Sequence, residues 1–353
     1  MSLIEKEPAE MKHLLNTLYV TTQGSYLSRE GETVTVKVDH EIKLRVPILT
    51  LGGIVCFGQV SASPQLLQLC GEKNVTVSFL SEHGRFYARM HGPVSGNVLL
   101  RREQYRRADD ADFSSQISRS FVTAKVNNCR VVLLRTCRDQ PAGPNSELLR
   151  EAAVRLGQVI GCLQREANLD TVRGWEGDAA RTYFSVFDHL IVSQKSDFFF
   201  HERSRRPPLD NMNSLLSFIY TLLTHDVVSA LEGVGLDPAV GYLHKDRPGR
   251  PGLALDMVEE FRPYLADRLA LSIVNRQQVQ NKGFTRTETG AVHMDDATRK
   301  EILVAYQKRK AEEITHPFTG EKMPIGLLPH IQALLLARHL RGDIDGYPPF
   351  LWR

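Results

Sequence analysis

GNVLLRREQYRR, residues 96–107, is where the chain changes its hydrophobic period. Before it, the pattern is that of strands. ETVTVKVD (32–39) alternates, with Val34, Val36 and Val38 on one face, and REGE (29–32) before it reads as a tight turn. EIKLRVPILTLGGIVCFG (41–58) is a longer β-rich run broken by Pro47 and Gly52-Gly53, and NVTVSFLSEHGRFYARM (74–90) reads as a hairpin turning at EHG. Between these, SASPQLLQLCGEKN (61–74) predicts a short helix with Ser63 as N-cap, Pro64 as first residue and Gly71 near its end. After it, from about Asp112, the period is helical. NSELLREAAVRLGQVIGCLQREA (145–167) puts Leu148, Leu149, Ala152, Ala153, Leu156, Val159, Ile160 and Leu163 on one stripe. Helical segments continue to IQALLLARHLRG (331–342), interrupted by RSRRPPLD (203–210) and by NKGFTRTETGAVHMDD (281–296), read as a loop. The expected class is α+β: a small β-rich domain over 11–92, a linker over 93–112, a larger all-helical domain over 113–342 and a coil tail over 343–353. The ten residues before Met11 are assigned no part in the fold.

Composition narrows the function only a little. The chain has 353 residues, 42% hydrophobic and 24% charged, as in a globular protein with a full core. A net charge of +3 is too mild to announce nucleic acid, so a nucleic-acid reading must come from local clustering of cations. Cys56, Cys70, Cys129, Cys137 and Cys162 are odd in number and form no C-x-x-C pair, which suggests reduced thiols of a cytoplasmic protein and neither a disulfide framework nor a zinc site. No signal-peptide pattern opens the chain. Its most apolar run (215–236) is interrupted by His225 and Asp226, so a core helix is expected there and not a membrane span. P-loop, G-x-S-x-G, H-E-x-x-H and dinucleotide fingerprints are absent.

Two segments carry residues able to do chemistry. In LDTVRGWEGDAARTYFSVFDHLI (169–191), Glu176 stands on the stripe of Ala180, Tyr183, Phe184 and Phe187. An inward carboxylate is costly unless paired, protonated or bound to metal. The plainer account of this segment is that Glu176 lies at a helix start and meets solvent or free amides. In GYLHKDRPGRPGLALDMVEEF (241–261), His244 sits in a turn with Lys245, Arg247 and Arg250, ahead of a helix bearing Asp256, Glu259 and Glu260. Acids at i, i+3 and i+4 share a helix face and repel one another unless a cation intervenes. Such a face is ordinarily solvated, and a histidine in a turn is ordinarily just exposed. The alternative is a site of two carboxylates and one imidazole. That set suits Mn²⁺ or Mg²⁺, the imidazole favouring Mn²⁺, beside cations that face a phosphodiester. HERSRRPP (201–208) adds Arg203, Arg205 and Arg206 on a loop stiffened by Pro207-Pro208, a candidate phosphate contact.

RGWEGDAARTYF (173–184), RRPPLDNMNSLLSFIYTLL (205–223), VGYLHKDRPGRPGLALDMVEEFRP (240–263) and ADRLALSIVNR (266–276), in that order, resemble the CRISPR-associated integrase family, the "Cas one" proteins of CRISPR adaptation. The resemblance includes GNVLLRREQY (96–105) and covers nearly the whole chain after Met11; short loops and the proline-rich motif resemble the subtype I-C branch. It implies a β-rich N-terminal domain that mediates homodimerisation and a helical domain holding one metal site. It places the glutamate of the family's EG motif on Glu176, the histidine of its turn on His244 and the helix acid on Glu259, all three as metal ligands and catalytic residues. Asp256 is implied as a companion behind the ligands, and Glu260 as pointing elsewhere.

The function so implied is that of a metal-dependent DNA endonuclease and integrase, which inserts spacer DNA into a CRISPR array by 3′-hydroxyl attack on a phosphodiester. Lys245, Arg247, Arg250, Arg203, Arg205 and Arg206 would grip double-stranded DNA. The implied partners are a second copy of the chain, the small "Cas two" protein and a "Cas four" nuclease. The competing readings are a non-catalytic DNA-binding scaffold of the adaptation complex and a metallohydrolase for a small phosphoester. Without metal, crowded carboxylates would strain the site.

Overall fold

The computed structural model describes residues 17–352 except 82–85, 91, 93–97, 140–142, 144 and 166–167. The leading ten residues, the EHG turn and parts of the expected linker and of the PAGP break (141–144) lie outside the described residues. The chain divides into two compact units, the first reaching Pro93 and the second running from Val94 to the end, with 82–85 grouped with the second.

Among the described residues the first unit holds eight strands: β1 (Thr17–Val20), β2 (Tyr26–Glu30), β3 (Thr33–Val38), β4 (Glu41–Pro47), β5 (Gly53–Phe57), β6 (Ser61–Ala62), β7 (Thr76–Leu80) and β8 (Phe86–Met90). They form two sheets, ordered β1-β5-β7-β8 and β4-β3-β2-β6. The REGE turn closes as read: Glu30 pairs with Thr33, and Gly31 takes a φ of 63°. Val34 and Val36 are buried with Leu27, Ile54 and Val77 in the core between strands and helix, whereas Val38 is only half-buried. Helix α1 (Pro64–Glu72) has the expected cap, the Ser63 hydroxyl accepting from the Leu66 amide.

The second unit is largely helical. The stretch expected as a linker is instead mostly helix α2 (Val98–Asp109); its Gln104 is fully buried and donates to the carbonyls of Asp237 and Val240. After α2 come α3 (Ala111–Asp139), α4 (Ser146–Leu163), α5 (Leu169–Ser185), α6 (Asn211–Gly233) and α7 (Gly252–Phe261). A π-helical turn (Arg262–Asp267) leads from α7 into α8 (Arg268–Asn275). On α4 the apolar stripe is narrower than expected: Leu148 is exposed and Ile160 half-buried. The unit is not all-helical. The expected loop at 281–296 contains a hairpin, β9 (Phe284–Arg286) with β10 (Val292–Met294), and a second one, β11 (Glu313–Thr315) with β12 (Lys322–Pro324), lies between α9 (Asp296–Ala311) and α10 (Leu328–Leu340). Strands three residues long are too short to show an alternating pattern.

Helix α6 is long and apolar enough to cross a membrane, but most of it is buried against α7, α8 and α10 as a core helix. Helix α3 packs on α4, α5 and α7. It is the element against which both candidate segments are held. The coil tail from Asp343 is not a loose end: Tyr347, Phe350 and Trp352 are buried.

Candidate metal and DNA site

The turn before α7 is built around Asp256. Its carboxylate is fully buried and accepts from three successive amides, Tyr242 at 2.6 Å, Leu243 at 2.9 Å and His244 at 3.0 Å. Two glycines make the approach possible: a Cβ on Gly241 would lie 2.7 Å from the Asp256 carboxylate, and one on Gly252 would lie 2.7 Å from the Ala239 carbonyl. The same carboxylate meets His244 Nδ1 at 2.6 Å. A ring that donates from Nδ1 keeps its electron pair on Nε2, the arrangement by which a carboxylate fixes a ligating imidazole. Asp256 therefore holds the histidine and the turn, with its hydrogen-bonding capacity spent on them.

Glu176 is not at a helix start. Helix α5 is capped eight residues earlier by Asn168, which accepts from Thr171, and Glu176 lies between the buried Val172 and Ala179 on the inward stripe. One turn before it, Arg173 donates to the Leu243 carbonyl at 2.8 Å and so ties α5 to the His244 turn. Glu259 reaches the same region from α7 and is 2% exposed. The two carboxylates come from different helices and meet on one cation, Lys125 of α3. Its Nζ contacts Glu176 Oε1 and lies 2.7 Å from Glu259 Oε2, while Arg262 contacts Glu259 Oε1.

Burial alone would raise the Glu259 carboxyl, but Arg262 and Lys125 outweigh it and hold the group at about 2. Burial alone would lower the Lys125 ammonium; Glu259 and Glu176 outweigh it and keep the lysine above its ordinary range. The expected strain between crowded carboxylates is therefore absent, because two cations face two anions.

The donor set of carboxylate oxygens and one imidazole fits a hard divalent ion. One feature of the chain agrees with such an ion: both carboxylates, from separate helices, converge on one positive charge. Among the described residues, however, no three His, Cys, Asp or Glu side chains are gathered closely enough to hold a metal as they stand. Lys125 stands between the acids.

The remaining acids and cations sort by direction. Asp256, Glu259 and Glu260 are all buried, so the helix face expected from their spacing is not a solvated one. Glu260 turns away from Lys125 and accepts from Tyr347 Oη at 2.5 Å, the Phe350 amide at 2.7 Å and Gln332 Nε2 at 3.0 Å. Lys245, Arg247, Arg205 and Arg206 are exposed, and Arg250 is half-exposed. Arg203 departs from the expected phosphate contact: it turns inward to the Ser204 carbonyl, Asn213 Oδ1 and Ser217 Oγ, with its guanidinium 5.3 Å from the Tyr220 ring centre. Sequence reasoning missed Lys125, Arg173 and Arg262. Lys125 did leave a signal: it interrupts the stripe Phe121, Asn128, Val132, all three of them buried.

The order of units and the helical frame around this site recur in solved structures. A casposase bound to its integration product superposes with a TM-score of 0.81 at 21% identity, over 96% of this chain and 94% of that one. A Cas1 protein from Thermotoga maritima superposes with a TM-score of 0.77 at 24% identity, over 93% and 97%. Residues 18–308 match the family model described as "CRISPR associated protein Cas1". A CRISPR-associated endonuclease Cas1 of Chlorobaculum tepidum is 58% identical over 97% of this chain and 100% of its own length, and one of Rhodospirillum rubrum 51% identical over 97% and 100%. The chain belongs to the Cas1 family of CRISPR-associated proteins, whose members similar to it over their whole length are named endonucleases.

Proposed function

We propose that this chain is a metal-dependent strand-transfer enzyme. In this reading, the 3′-hydroxyl of a captured DNA fragment attacks a phosphodiester at the edge of a repeat. A new phosphorus–oxygen bond forms to that hydroxyl oxygen, and the bond to the departing 3′ oxygen of the repeat strand breaks. Glu176, Glu259 and His244 Nε2 would hold Mn²⁺ or Mg²⁺. The bound ion would polarise the scissile phosphoryl group and stabilise the leaving oxygen. The chain's own part is positional. Asp256 fixes the imidazole, Arg173 ties the two ligand-bearing segments together, and Lys245, Arg247, Arg250, Arg205 and Arg206 align the DNA backbone.

The convergence of Glu176 and Glu259 from separate helices on a single cation carries this reading. The proposed partners are double-stranded DNA, a second copy of the chain, and Cas2 and Cas4 proteins. A fused Cas4 exonuclease–Cas1 endonuclease of Geobacter sulfurreducens, 33% identical over 95% of this chain, supports the Cas4 partner. The test is strand transfer of a short duplex with free 3′ ends into a repeat-bearing plasmid. Joined product that requires Mn²⁺ or Mg²⁺ and is lost in Glu176→Gln is the expected result. DNA binding without any joining or nicking would make the chain a scaffold, and turnover of a small phosphoester alone would make it a hydrolase of another kind.

A further inference from the structure

We propose that Lys125 is the built-in counter-cation of the metal site, a positioning residue that competes with the divalent ion for Glu176 and Glu259. This rests on the metal reading above. Among the described residues, the Lys125 ammonium is the one cation paired with both carboxylates. Its side chain is 11% exposed, so solvent and salt screen its charge poorly. With Lys125 and Arg262 present, the two carboxylates are neutralised, and an entering divalent ion meets no net negative charge. Without Lys125 the same ion meets one uncompensated anion.

The link to Glu259 Oε2 is suited to exchange. At 2.7 Å it is an ion pair between a rotatable ammonium and a buried carboxylate oxygen. It is held by charge, and a stronger cation can take it over. A lysine is fitted to this by its compact charge on a flexible four-carbon stem, which can withdraw without moving the backbone of α3. The ion-free protein thereby keeps carboxylates of two helices together, and a divalent ion binds only by displacing the ammonium.

A purely structural ion pair makes the opposite prediction. If Lys125 only braced the ligands, its removal would let them part and weaken metal binding. If it competes, its removal strengthens metal binding although it destabilises the ion-free fold. The experiment is a calorimetric Mn²⁺ titration of the full chain as wild type, Lys125→Met and Glu176→Gln. Lys125→Met should bind Mn²⁺ at least about tenfold tighter than wild type. Its ion-free melting temperature should fall, and Mn²⁺ should raise that temperature by more than it raises the wild type's. Equal or weaker Mn²⁺ binding by folded Lys125→Met overturns the proposal and leaves the metal site standing. Wild type that binds no Mn²⁺, or Glu176→Gln that binds it as well as wild type, removes the site itself and this role with it. Should Lys125→Met fail to fold, wild type answers alone: acetylation of Lys125, read by mass spectrometry on the folded protein, should rise severalfold when Mn²⁺ saturates the site. Acetylation that saturating Mn²⁺ leaves unchanged overturns the proposal.

Discussion

Glu259 and Glu260 are adjacent on α7, both are buried, and they live in opposite electrostatic worlds. Glu259 turns toward Lys125 and Arg262, and their charges hold it at about 2 in spite of burial. Glu260 turns toward neutral donors on α10 and the tail, and burial pushes it up to about 7 even though Tyr347, Phe350 and Gln332 all donate to it. Burial is common to both and decides neither. A fixed positive charge keeps a buried carboxylate ionised, whereas hydrogen bonds from neutral groups only soften the loss of water. One residue is made ready for a cation, and its neighbour is made ready to clamp a chain end.

The clamp is extensive. Asn128, one turn beyond Lys125 on α3, donates to the Phe350 and Glu260 carbonyls and accepts from the Trp352 amide. The Trp352 ring is flanked by the guanidinium groups of Arg135 and Arg268, at 4.1 Å and 4.5 Å. The tail is thus fixed both to α3, which carries Lys125, and to α7, which carries Glu259.

The largest effect expected from this contrast is on activity. Glu176→Gln and Glu259→Gln should each lower strand transfer at least about 100-fold, since replacing a ligand should cost no less than disturbing its supports. Glu260→Gln should stay within about threefold of wild type, because it touches the tail and not the site. A Glu260→Gln loss equal to that of Glu259→Gln would collapse the distinction between the two faces. On stability the ranking reverses for part of the set. Glu260→Ala leaves the Tyr347 hydroxyl and the Phe350 amide without their acceptor, Gln332 keeping Tyr347 Oη and the Pro348 carbonyl, and should cost about 2–4 kcal/mol in urea unfolding, whereas Glu176→Gln, at a side chain 29% exposed, should cost about 1 kcal/mol or less.

The pH dependence sharpens the same contrast. In protein kept free of divalent ions by EDTA, the Glu260 carboxyl titrates near 7 when folded against an ordinary 4.5. Between those values the folded state holds a proton that the unfolded state has released. Its contribution to stability is therefore greatest at or below pH 4.5 and declines as pH rises to about 7, by on the order of 3 kcal/mol. Glu260→Gln lacks this term. The difference in unfolding free energy, variant minus wild type, should rise across that window and level off above it. A difference that stays flat from pH 4.5 to 8 would show that Glu260 remains ionised in the fold.

The sequence was readable where a local rule acts alone. Ser63-Pro64 announces a capped helix, and Glu176 betrays its inward, half-buried position by standing on an apolar stripe. It was unreadable where partners come from afar. Nothing within 241–261 tells which of three spaced acids faces a cation and which faces a tail ninety residues on, because helix α7 is buried on nearly every side and hides all three. Lys125 was passed over because a lysine reads by default as exposed, and its burial depends on acids from two other helices. The role of Asp256 required the glycine pair that brings the turn onto it.

The smallest effect tests whether the inward–outward contrast also sorts the cations. Lys245, Arg247, Arg205 and Arg206 are exposed, while Arg203 is engaged by Asn213, Ser217 and the Ser204 carbonyl. A cation that meets a phosphate releases condensed counterions, so deleting it should flatten the plot of log affinity against log salt by about one unit. Arg247→Ala, Lys245→Ala and Arg206→Ala should each do so on a repeat-bearing duplex, with little change in melting temperature. Arg203→Ala should leave the slope unchanged and instead lower stability by about 1–3 kcal/mol, since Asn213 and Ser217 lose a charged donor inside the unit. If Arg203→Ala flattens the slope while Arg247→Ala does not, the DNA runs along the other side of this loop, and the outward cations near His244 belong to solvent.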